Sequence, residues 1–120
     1  MSKTHTGGCH CGKVRYQVEG LDLEKPVIAC NCSMCQRAGT LLAFVPVGQF
    51  TLLSGEDQLQ DYFFGKASID HCFCRGCGVK SFAKGKMKDG TEMRAINVRC
   101  LDDLEDVRKL NLNWFDGRSR

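Results

Sequence analysis

Residues 13–20 set Val14, Tyr16 and Val18 against Arg15, Gln17 and Glu19, an alternation of period two that predicts a strand with one buried face. Residues 21–26 form a polar connection, and 27–29 are a short apolar run leading into a cysteine cluster. Residues 41–47 are strongly apolar but interrupted at Pro46, which predicts an edge position or a bulge. Residues 50–53 predict a strand that ends at the turn Ser54-Gly55-Glu56-Asp57. Further strands are predicted over 59–64, 69–73 and 79–83, and over 93–100 after the Asp89-Gly90 turn, where Ile96 and Val98 suit a pleated surface. Helical spacing is confined to 101–110, where Asp102 and Asp103 are candidate caps for a turn or two of helix. The pattern predicts an all-β fold with little helix and with cysteines at strand ends.

Composition narrows the classes. At 120 residues, 42% hydrophobic and 26% charged, the chain fits one globular domain, 1–120, and is too apolar for a disordered segment. A formal charge of +3 is too small to argue for nucleic acid, and no apolar run approaches a membrane span. The lysines at 80, 84, 86 and 88 are the one concentrated basic run, which at strand spacing predicts a solvated edge. The first residues carry no apolar stretch of a secretory signal, so a reducing, cytoplasmic setting is expected.

Nine cysteines in such a setting need a purpose, and zinc is the expected one. They fall into Cys9-His10-Cys11, then Cys30-Asn31-Cys32-Ser33-Met34-Cys35, then Cys72-Phe73-Cys74-Arg75-Gly76-Cys77, with Cys100 alone. In a strand, residues i and i+2 face the same side, so a C-x-C pair presents both sulfurs to one ion. A C-x-x-C-G run folds into a tight knuckle in which Gly78 takes a positive φ. Spacing sorts the ligands into two zinc sites per chain. Cys9, Cys11, Cys74 and Cys77 make a closed structural set, while Cys30, Cys32 and Cys35 supply three ligands and leave a fourth position open. Cys72 repeats the spacing of the middle cluster and can replace a ligand in either site; the favoured reading keeps Cys72 and Cys100 as buried small hydrophobes. His5, in a mobile tail, His10 and His71 are expected as surface or packing residues.

The run Gly8-Cys9-His10-Cys11-Gly12-Lys13-Val14-Arg15-Tyr16, then Cys30, Cys32, Cys35 and Arg37, then Phe73, Cys74, Cys77 and Gly78, resembles the glutathione-dependent formaldehyde-activating enzyme family, which includes centromere protein V-like proteins. The resemblance implies a β-tent fold of antiparallel sheets. It implies a structural zinc on Cys9, Cys11, Cys74 and Cys77 and a catalytic zinc on Cys30, Cys32 and Cys35. Members often carry His within the middle cluster and Arg directly after it; here those positions are Asn31 and Gln36.

Three thiolates on zinc leave a net charge of −1, a weak Lewis acid for hydrolysis but suited to holding an incoming thiol as thiolate. The resemblance points to the same chemistry: a zinc-dependent carbon–sulfur lyase joining a thiol such as glutathione to an aldehyde, as in S-(hydroxymethyl)glutathione. Arg37 is the candidate partner for the carboxylates of such a thiol. Phe44, Phe63, Phe64 and Trp114 are candidate pocket walls, with core packing the favoured reading of each. The competing classes are a non-catalytic zinc module that binds protein or nucleic acid, and a redox protein using Cys-x-x-Cys as a dithiol.

Overall fold

The alternation at Val14, Tyr16 and Val18 becomes the buried side of a strand, and the rest of the architecture is built around it. The computed structural model describes residues 4–63, 69–87 and 89–116. Within them run β1 (Thr4–Gly8), β2 (Arg15–Glu19), β3 (Val27–Cys30), α1 (Ser33–Ala38), β4 (Leu42–Pro46) and β5 (Phe50–Ser54). After these come β6 (Leu59–Tyr62), β7 (Asp70–Cys74), β8 (Phe82–Lys86), β9 (Glu92–Asn97) and β10 (Leu112–Phe115). One sheet has the order β1-β2-β5 and the other β10-β3-β4-β9-β8-β7-β6. Among the described residues every strand pairing is antiparallel except that of β10 with β3. The expected mostly-β, antiparallel architecture is what the chain adopts. No helix among the described residues is long and apolar enough to cross a membrane.

The main core lies between the sheets. Val14, Tyr16 and Val18 pack with Val27, Val45, Cys72, Phe82 and Ile96. The Tyr16 ring lies 5.3 Å from Phe50 and 5.9 Å edge-on from Phe82, while its hydroxyl donates to the Ser81 carbonyl at 3.1 Å. A buried Tyr needs such an acceptor, because an unpaired hydroxyl in an apolar site is costly. Residues next to the core positions face the opposite side of the large sheet. There the register aligns Tyr62, His71, Ala83, Ala95 and Phe44 in a row across five strands. Helix α1 seats Cys35 on that side against Leu42, Ala83 and Ala95.

Four expectations are revised. His5 is not in a mobile tail: it belongs to β1, is buried, and its ring meets Asp103 Oδ2 at 2.7 Å and the Leu21 carbonyl at 3.0 Å. The segment 101–110 forms no α-helix. Asp102 instead accepts from Thr6 and Arg15, Asp103 binds His5, and only a 3-10 turn forms at Val107–Lys109, so the expected caps are consumed by long-range pairing. A helix forms instead at α1, too short to show a periodicity; Cys32 caps it by accepting from the Cys35 N–H, and Gly39 closes it in the left-handed region. The strand expected over 79–83 starts only at Phe82, since Val79 closes the preceding knuckle by accepting from the Cys74 N–H at 3.1 Å.

Candidate metal centres

The first cysteine group joins two remote points of the fold. Cys9 and Cys11 lie in the turn between β1 and β2, Cys74 ends β7, and Cys77 lies in the knuckle that follows. The C-x-C pair is therefore shaped by a turn rather than by a strand, with Gly12 N–H donating to the Cys9 carbonyl at 3.3 Å. Gly78, at φ 78°, closes the knuckle by donating its N–H to the Cys74 carbonyl at 2.8 Å. The four sulfurs all lie within 4.8 Å of one another, with Cys9–Cys11 at 3.5 Å and Cys11–Cys74 at 3.6 Å. With Zn–S near 2.3 Å, tetrahedral ligand sulfurs are about 3.8 Å apart, so this donor set fits zinc.

Electrostatics separate the four thiols. Against desolvation, the backbone N–H groups of Val79 and Cys11 and the side chains of Cys9 and Cys74 bring Cys77 down to about 6. Cys11 is favoured as thiolate by the Lys13 backbone, yet its sulfur neighbours, Cys9 foremost, push it up to about 11. Backbone N–H groups also point at sulfur elsewhere: Val14 to Cys9 and Gly76 to Cys74, each at 3.3 Å. Donors aimed at sulfur favour thiolate, the form that binds metal.

The second group is held on one short stretch. Cys30 ends β3, Cys32 caps α1, and Cys35 lies one turn into it. The Cys32 N–H donates to Cys30 Sγ at 3.4 Å and the Cys35 N–H to Cys32 Sγ at 3.3 Å. Burial, followed by the neighbouring Cys32 sulfur, pushes Cys35 up to about 11. Among the described residues the group stops at these three ligands.

Cys72 joins neither group. It is fully buried in the main core, and its thiol faces Asp61 Oδ1 and the Asp70 carbonyl, each at 3.7 Å. Cys100 is half-buried, with its thiol 3.9 Å from the Lys80 carbonyl.

Two hollows adjoin α1. One, of about 320 Å³, is lined by Ser33, Met34, Arg37 and Tyr62. The other, of about 230 Å³, is lined by Met34, Ala38, Tyr62, His71, Phe73, Gly78 and Lys80. Arg37 thus stands in the first hollow, its guanidinium donating to the Ser33 carbonyl at 3.2 Å. Phe44, Phe63 and Trp114 line neither hollow and are exposed at 53%, 52% and 78%, so the favoured core packing does not hold; Phe64 lies outside the described residues.

The second hollow brings together residues to which pattern alone gave no role in a pocket. Lys80 is buried rather than part of a solvated edge, and its Nζ donates to His71 Nδ1 at 2.8 Å. Burial, then the lysine charge, hold His71 down at about 4, so the ring is neutral and accepts. Burial also lowers Lys80, while the fields of Cys35, Cys32, Cys72 and Cys30 oppose that shift. The sequence marked Lys80 only as the first lysine of the basic run and by its place three residues past the knuckle's last cysteine.

The crystal structure of a Rhodobacter sphaeroides protein, a structural-genomics target, is 29% identical to this chain. It aligns with a TM-score of 0.79 over 92% of this chain and 99% of its own. The profile of the glutathione-dependent formaldehyde-activating enzymes matches residues 4–116, a span that takes in both cysteine groups and both hollows, and the chain belongs to that family.

Proposed function

We propose that the chain is a zinc-dependent carbon–sulfur lyase that joins a thiol such as glutathione to an aldehyde such as formaldehyde, releasing the S-(hydroxyalkyl) adduct. The observation that carries this reading is the three-ligand group at Cys30, Cys32 and Cys35, next to hollows that open beside α1. Bound there, zinc would favour the thiolate form of a thiol that reaches the remaining position. The chain's own part is placement. The backbone N–H groups of Cys32 and Cys35 hold the cysteine sulfurs in register, and Arg37 offers a carboxylate of the thiol a cation at the mouth of the first hollow. The group at Cys9, Cys11, Cys74 and Cys77 serves as a closed structural zinc site that ties the β1–β2 turn to the β7–β8 knuckle. None of the nine cysteines is paired in a disulfide, which fits a reducing, cytoplasmic setting.

The test is exchange NMR of adduct formation with and without the zinc-loaded protein. Acceleration that is greatest for one thiol and one aldehyde is expected. Equal rates across several thiols and aldehydes, with and without protein, would remove the lyase reading.

A further inference from the structure

Lys80 is an unusual group for this part of the fold. A buried ammonium is costly unless something takes advantage of its charge. No carboxylate among the described residues lies within ion-pair distance of it. His71 occupies one of its three donors. Lys80 also lines the smaller hollow, together with the His71 that its Nζ meets, and the walls there are otherwise largely apolar: Met34, Ala38 and Phe73. Met34 and Ala38 lie on α1 with Cys35, so the helix that carries the open cysteine group also forms one wall of the hollow that holds Lys80. The row His71–Ala83–Ala95 keeps the sheet low beneath α1.

From this we propose that Lys80, oriented by His71, is the binding site for the oxygen of the carbonyl substrate. The inference rests on the thiol–aldehyde reading above and assigns the aldehyde to the smaller hollow, the thiol's carboxylate end to the larger one beside Arg37. In the step concerned, the thiolate sulfur gives an electron pair to the carbonyl carbon and forms the C–S bond. The π pair of the C=O bond moves to oxygen. The Lys80 ammonium donates a hydrogen bond to that developing alkoxide. Water then protonates it, and the hydroxide left behind takes up the proton that the thiol released. Thiol and aldehyde become a hemithioacetal, with nothing oxidised or reduced.

Isotopic labelling of lysine and histidine in the full, zinc-loaded chain gives the first readout. The glutathione–formaldehyde adduct is expected to shift the Lys80 Nζ and His71 Nδ1 resonances, while glutathione alone leaves them in place. The second readout is the Lys80→Met variant. It is expected to keep its zinc and bind glutathione within about twofold of the parent, yet lose about 100-fold of the protein-dependent adduct formation, the scale of one missing oxyanion donor. Lys80→Arg restores part of the rate. A wild-type Lys80 resonance that the adduct does not move overturns the proposal, and decides it alone if Lys80→Met does not fold. Glutathione affinity falling in step with the rate overturns it too, since Lys80 would then act only as a counter-charge to the cysteines. Adduct that binds at Lys80 without faster formation would instead sink the lyase reading and leave this site standing.

Discussion

Single atoms decide the chemistry at several positions. Replacing Cys35 by Ser removes one of only three sulfurs in its group, so metal analysis is expected to fall from two zinc ions to one per chain while the fold is retained. Loss of the fold would make that group structural. Tyr16→Phe deletes the donor to the Ser81 carbonyl inside the core and is expected to cost about 1–2 kcal/mol, read by urea denaturation. The cysteine grouping was legible because C-x-C and C-x-x-C spacing confines sulfurs locally, whatever the tertiary fold. Lys80 was not legible. A lysine two residues from a strand has no local mark of burial, yet the fold buries it beside Met34 and Ala38 of α1 and Phe73 of β7. The exposed Trp114 and Phe44 misled in the opposite sense, because a large aromatic carries no record of which side of the sheet it will occupy.

Elements depend on contacts remote in sequence. Strand β1 has no apolar alternation, and so gave no sequence signal; it forms because β2 supplies the ladder and residues 101–103 close over it. A Cβ built on Gly7 meets the Cys100 carbonyl oxygen at 2.6 Å, so Gly7→Ala is expected to destabilise by about 1–3 kcal/mol, and amide exchange should localise the loss to β1 and its neighbours. Asp102 is held below the usual carboxylate range chiefly by Arg15, with Thr6 adding a hydrogen bond. A lowered folded value gives stability that is present above the unfolded value and lost as pH falls through the folded one. The difference in melting midpoint between the parent and Asp102→Asn is therefore expected at neutral pH and should vanish below the ordinary carboxylate range. The same Asp102, as a helix cap, was a sound local reading; the guanidinium of Arg15 was the competitor that local reasoning could not see.

At the scale of the whole molecule, the two cysteine groups differ in what they connect. Cys11 and Cys74 are 63 positions apart in the chain and join one sheet to the other, whereas Cys30, Cys32 and Cys35 lie on a single stretch at the end of β3. That strand is stitched to β4 through one aligned pair, Ile28 with Leu42, and its other neighbour is the edge strand β10. A contiguous clasp on a lightly sewn border can loosen by local fraying, while a brace across two sheets opens only when the sheets part. Chelation should accordingly proceed in two kinetic phases, the faster leaving the global fold in place and the slower coinciding with its collapse. The molecule would thus have one ion that comes and goes within the lifetime of the fold, and another whose departure ends it.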